Sequence, residues 1–455
     1  MVTSASMALP PRRGTGLLIA AGIGAGLLLV GGAVCFLLYL AWPLLESGQR
    51  GPAVGPDEAI SQAAEFAVLA FYGLVLGSAL LRQVVRGSRG APSARFRPAT
   101  LAGVLALVGF PLALLAGIAM LQLPHRVAGY LFPLAALLAV LTPPMLVLNL
   151  VGRAGWRRTG DEPVTSPPPQ PGGLPGRSSR EDPFAGDLVR RVVGPPTWRR
   201  ILGALAWGMG GATAISLVLE VAGAILALLL IVGLALAGRQ DQIRQWQNLL
   251  VGDAAAGCDT LRSVFGNPLV VGGLILAVGV FVPLIEEPAK SLGVLWLRAR
   301  LSAPRDALLY GAVAGLGFGM IESAVYNVGS LDTWWGTATL RLGTTFVHAL
   351  ATGLFGVAWY YRSQRHDRGR FRRYALASLG VHGLWNASTV GIIAVGATRS
   401  CAADPVGLVL TGDPLGYAAV IWFLLLTVSA AVLLMLLARR LGPPEPMAGT
   451  ARPTG

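Results

Sequence analysis

The chain alternates long apolar runs with polar joins. Ten runs lie near residues 16–42, 60–81, 99–122, 128–151, 210–237, 269–297, 306–328, 337–361, 374–396 and 415–438. Each reaches the roughly 20 residues that a helix needs to cross about 30 Å of hydrocarbon. The pattern predicts an all-α, polytopic transmembrane helix bundle of about ten spanning helices.

The polar joins carry the orientation. Arg82, Arg86, Arg89, Arg95 and Arg97 follow the second run, and Arg153, Arg157 and Arg158 the fourth. Arg298, Arg300 and Arg305 follow the sixth, a cluster from Arg362 to Arg373 the eighth, and Arg439 with Arg440 the tenth. Arginine collects in alternate joins, so the positive-inside rule puts both termini in the cytoplasm. Trp42 and Trp334-Trp335 are then expected in the outer aromatic belt, and Tyr360-Tyr361 in the inner one. The stretch Ile201–Gly238 is too long for one span and barely long enough for two. Two spans would put the later arginine clusters outside, so one span preceded by an interfacial helix is expected. Glu220 then lies inside that span, in a capping or snorkelling role.

Residues 159–197 are rich in Pro, Gly and Ser and read as a linker. The expected organisation is an N-terminal four-helix membrane unit over 1–151, a cytoplasmic linker over 152–200, a six-helix catalytic unit over 201–440 with its motif core in 270–400, and a disordered tail over 441–455.

Composition agrees with a membrane protein: 54% of residues are hydrophobic, only 13% are charged, and mean hydropathy is +0.63. The net charge of +14 would suggest nucleic acid in a soluble chain. Here the arginines flank apolar runs, so topology and anionic lipid explain them, and no nucleic-acid partner is expected. Heavy use of Ala, Gly, Arg and Pro points to a bacterial plasma membrane. Cys258 and Cys401 both fall in joins expected outside, where a disulfide is permitted.

Of 36 lysines and arginines, only Lys290 is a lysine, and it lies inside an apolar run as Glu286-Glu287-Pro288-Ala289-Lys290. On a helix both carboxylates come within reach of the ammonium, Glu286 at i−4 and Glu287 at i−3. Ionisable groups at bilayer depth are costly and face a bundle interior or a water-filled cavity. The next three runs carry polar groups too: Glu322, then His348, then His382 with Asn386. Counted inward at about 1.5 Å per residue from the nearest cytoplasmic arginine or helix start, Glu286 lies roughly 18 Å deep, His348 roughly 21 Å, Glu322 roughly 24 Å, His382 roughly 12 Å and Asn386 about 18 Å. They can share one cavity, set toward the cytoplasmic side.

That set suits peptide hydrolysis within a membrane. Glu286 or Glu287 would activate water, Lys290 would orient the pair, and Asn386 would help to polarise the carbonyl. Glu322, His348 and His382 form a carboxylate/His/His set able to hold a divalent metal such as zinc, or they act without metal. A proton-coupled transporter using the same buried charges is the alternative. Pro143-Pro144 and Pro288 are possible helix breaks of the kind transporters use, but the N-terminal half has no counterpart of the Glu/His constellation.

Glu286-Glu287-x-x-Lys290, Phe318-x-x-x-Glu322, His348 and His382-x-x-x-Asn386, in order on four successive helices, resemble the PrsW family of intramembrane proteases, distant relatives of the CAAX-prenyl-protease and bacteriocin-processing membrane enzymes. The resemblance covers roughly 270–400. It implies a multi-helix peptidase that cleaves membrane-associated proteins, usually described as metalloprotease-like.

Overall fold

The computed structural model describes residues 15–48, 66–89, 99–120, 125–156, 196–236, 264–298, 303–326, 334–400 and 413–441, with a few single positions between them. The linker from 157 to 195, Asn327, Cys258, Cys401 and the tail from 442 lie outside the described residues.

Ten helices among the described residues are long and apolar enough to cross a membrane. They are α1 (Thr15–Gly48), α2 (Phe66–Ser88), α3 (Thr100–Met120), α4 (His125–Trp156), α5 (Trp198–Leu236), α6 (Pro268–Trp296), α7 (Pro304–Tyr326), α8 (Trp334–Gln364), α9 (Arg368–Ser400) and α10 (Pro414–Arg440). No strand is present among these residues; one antiparallel bridge, Arg95 to Thr197, pins the start of α5 beside the end of α2. Local signals set several helix starts. Asn267 accepts from the Leu269 N–H ahead of Pro268, and Asp413 accepts from the Leu415 N–H ahead of Pro414. Each pairs an N-cap side chain with a proline whose missing N–H costs the first turn nothing.

Helices α7 and α8 form the centre and are almost wholly buried. Lipid-tail surroundings give apolar side chains no reason to prefer a neighbouring helix, so close approach depends on small residues. A Cβ at Gly311 would run into the Thr352 carbonyl, and one at Gly315 into that of His348. Bare glycine therefore lets α7 lie against the backbone of α8 beside the candidate site. The outer helices carry exposed leucines and valines, as on α1, α3, α5 and α10, which suits a surface facing lipid.

Several expectations meet a different structure. Residues 198–236 form one continuous helix rather than an interfacial helix and a separate span; a π segment, Trp207–Ala212, lies within it. Pro143 and Pro144 do not break α4, which runs through them. Trp334 is buried against Phe132 of α4 and over Gly117 of α3, and Tyr360 and Tyr361 belong to the main core rather than to an aromatic belt. Gly117 leaves the gap that the Trp334 ring fills, which sequence position alone does not reveal. Helix α4 packs along α7, α8 and α10, so one core joins the two halves of the chain.

Candidate active site

Helix α6 supplies the centre. Glu286, Glu287 and Lys290 are buried on one face, as their spacing predicts. A π segment, Ala277–Phe281, precedes them, and the helix continues through Pro288. The backbone around the triplet is held from outside. Trp207 Nε1–H of α5 donates to the Ala289 carbonyl at 3.0 Å. Ser291 donates to the Pro288 carbonyl at 2.9 Å and accepts from Trp359 Nε1–H at 2.8 Å.

An ammonium has three N–H bonds and no acceptor. Lys290, fully buried, spends them on Glu286 Oε2 at 2.6 Å, Glu287 Oε1 at 2.8 Å and His348 Nδ1 at 2.9 Å. Its Nζ also lies 4.1 Å from the centre of the Phe318 ring, a cation–π contact. The network assigns the histidine tautomers. His348 Nδ1 accepts from Lys290, so its Nε2–H donates to Glu322 Oε2 at 2.7 Å. His382 Nδ1–H donates to Glu287 Oε1 at 2.8 Å, and its Nε2 accepts from Asn386 Nδ2 at 3.2 Å. The other Asn386 N–H donates to the Val278 carbonyl at 3.0 Å, within the π segment of α6.

The two neighbouring carboxylates thus differ. Glu287 is saturated, accepting from Lys290, His382 and the Thr352 hydroxyl at 2.8 Å. Glu286 keeps slight exposure, 7% of its side chain against 0% for Glu287, and lies 3.8 Å from His382 Nε2. Exposure rises toward Glu322 at 24%, which pairs with Arg341 at 3.2 Å. Arg341 in turn covers the Tyr326 ring at 4.1 Å. Glu322 sits about one turn from the end of α7 and Arg341 about two turns from the start of α8. The more exposed edge of the site therefore lies at the helix ends away from Arg298, Arg362 and Arg368.

All seven predicted residues converge. Glu322 occupies a different place from that expected of a ligand. Donor atoms of Glu286, Glu287, His348 and His382 lie within 4.8 Å of one another, a buried group that by residue type could hold a metal. Glu322 stands behind His348, as the carboxylate partner of an imidazole does. Lys290 already has its ammonium among these donors, and both rings have partners at both nitrogens. A metal held by this group would replace the lysine's three contacts.

Sequence reasoning passed over Thr352 and Arg341. Thr352 follows His348 by four residues and Arg341 precedes it by seven, so both share its helix face. That spacing was the available signal.

Residues 196–412 match the family model of the PrsW family intramembrane metalloproteases, so this segment is similar to a family of intramembrane proteases. The matched segment opens at the Arg95–Thr197 bridge and takes in α5 to α9 with every residue of the network above. No curated protein and no solved structure matches the chain.

Proposed function

We propose that the chain is an endopeptidase of the bacterial plasma membrane that hydrolyses peptide bonds in membrane-embedded or membrane-associated proteins, with Glu286 as the base. The observation that carries this is the division of labour between adjacent carboxylates. Glu287 is fully bonded, while Glu286 has one ammonium contact and an open side.

The steps follow from that. Glu286 takes a proton from water as the water oxygen bonds to the scissile carbonyl carbon. The tetrahedral oxyanion gains from the positive charge of Lys290 in a poorly screened interior. It also gains from Asn386, which turns from His382, the longer of its two bonds. The C–N bond then breaks as Glu286 returns its proton to the leaving nitrogen. Glu287, held by Lys290, His382 and Thr352, keeps the ammonium in register; Glu322 fixes the tautomer of His348. In this reading Glu286, Glu287, Lys290, Glu322, His348, His382 and Asn386 form one unit.

The test compares newly formed protein N-termini in membranes of cells carrying wild type or Glu286→Gln. Termini present only with wild type are expected, and they name the substrate. With both proteins folded at equal levels, identical termini would refute the reading and turn attention to proton-coupled flux.

A further inference from the structure

Arg199, Gly203, Ala206 and Gly210 of α5 recur at helical spacing and share one face. A Cβ at Gly203 or Gly210, or at Gly24 of α1, would meet no atom within 4 Å. At Gly311 and Gly315 bare backbone admits a neighbouring helix, whereas here it borders open space. That space is a cavity of about 490 Å³ between α1, α2, α5 and α6, which falls in the range of small-ligand sites, about 300–1,000 Å³. Ile23 and Leu27 line it and are 60% and 69% exposed, so it opens sideways toward the lipid.

The lining is apolar but for three side chains, Gln83, Arg199 and Arg200. No carboxylate lines it among the described residues, so the cavity presents positive charge beside an apolar body. Arg199 Nη2 donates to the Ala91 carbonyl at 2.9 Å, which ties its guanidinium to the end of α2. Gln83 Oε1 is shielded from solvent and accepts no hydrogen bond from the described residues. Trp296 and Leu297, the last residues of α6, also line the cavity. It therefore lies at the arginine-rich end of the bundle, opposite the end where Glu322 stands.

We propose that this cavity binds an anionic phospholipid, an acyl chain lying against Leu27, Leu80 and Val84 and the phosphate at Arg199 and Arg200. Guanidinium pairs with phosphate through parallel N–H bonds, and basic pockets between membrane helices hold anionic head groups. A head-group hydroxyl, as in phosphatidylglycerol, donates to Gln83. The arginines favour a lipid over a helix of a partner protein, because an ionised group on such a helix is costly at bilayer depth. The proposal does not rest on the peptidase reading, yet the site adjoins the catalytic helix. Trp207 lines the cavity and donates its Nε1–H to the Ala289 carbonyl, between Glu287 and Lys290. A bound chain backs the ring that holds this stretch of α6.

Native mass spectrometry of the full chain in detergent, titrated with phosphatidylglycerol or phosphatidylcholine, tests it. Wild type is expected to hold one phosphatidylglycerol at least about tenfold more tightly than phosphatidylcholine. Arg200→Gln is expected to lose about fivefold in affinity for phosphatidylglycerol and nothing for phosphatidylcholine. Gly203→Leu puts a side chain into the open space and is expected to weaken both lipids by at least about tenfold. Gly210→Leu does the same should Gly203→Leu fail to fold. Equal affinity for the two lipids in wild type, or phosphatidylglycerol binding unchanged in the variants, is the behaviour of ordinary boundary lipid and would overturn the proposal. Inorganic phosphate that displaces the lipid at equal concentration would overturn it too, reducing the site to an anion site. A photoreactive amino acid in place of Leu27 adds an arm in native membranes. Cross-links to phospholipid are expected; cross-links to a protein instead would give the cavity to a partner helix and refute the lipid assignment.

Discussion

Replacing Lys290 by methionine keeps an unbranched side chain of similar reach and removes one charge. The structure says what is lost: bonds of 2.6, 2.8 and 2.9 Å to Glu286, Glu287 and His348, all inside the bundle. Charge-assisted bonds contribute about 1.5–3 kcal/mol each, but they do not add, because a stranded carboxylate relaxes by taking up a proton. Removing one partner of a buried pair typically costs about 3–5 kcal/mol, which sets the expected destabilisation of Lys290→Met. At about 1.4 kcal/mol per tenfold, the folded-to-unfolded ratio should fall by roughly two to four powers of ten. Unfolding in mixed micelles of increasing denaturing detergent, followed by tryptophan fluorescence, measures it. The double variant Glu286→Gln/Lys290→Met carries one fewer stranded charge and should recover part of the loss, with a coupling of about 0.5–3 kcal/mol. If Lys290→Met unfolds within about 0.5 kcal/mol of wild type, as an exposed substitution would, the ammonium is not the keystone described above.

The same variant bears on metal. With the ammonium gone, Glu286, Glu287 and His348 each regain a free ligand atom beside His382, so Lys290→Met should bind zinc more tightly than wild type; equal or weaker binding by equilibrium dialysis would contradict this. Glu322→Gln keeps an acceptor for His348 Nε2–H but loses its charge, and should lower kcat by about 10- to 100-fold, a supporting-residue effect. It should spare folding, which circular dichroism with thermal melting checks. Gly315→Val places branched carbons against the His348 carbonyl and should destabilise by about 1–3 kcal/mol or more through overpacking. An unchanged unfolding midpoint would refute the close approach of α7 and α8.

The helix count and the membership of the site were legible because both follow from simple periodicities. Apolar length marks a span, and i, i+3, i+4 spacing marks Glu286, Glu287 and Lys290 as one face. Depth along each helix likewise put Glu322, His348, His382 and Asn386 inside the same hydrocarbon layer of about 30 Å. What distance along a helix does not carry is rotation about it. Glu322 and the two histidines fall within one membrane layer, yet Glu322 lies behind His348 rather than beside both rings. Trp334 reads as a belt residue from its place at a helix start, but Gly117 on α3 makes room for its ring.

The π segment Ala277–Phe281 carries a consequence for how such sequences are compared. Each π turn holds one residue more than an α turn, and one residue rotates everything beyond it by about 100°. Glu286, Glu287 and Lys290 face His348 and His382 only because that extra residue stands upstream of them. A chain that retained every motif residue but lacked a single position between Pro268 and Val282 would aim its glutamates elsewhere. Motif matching would score it as intact and be blind to the loss. Whether a homologous sequence is a working enzyme or a silent copy is written partly in an alignment gap, at a stretch of alanine, valine and glycine where no chemistry is looked for.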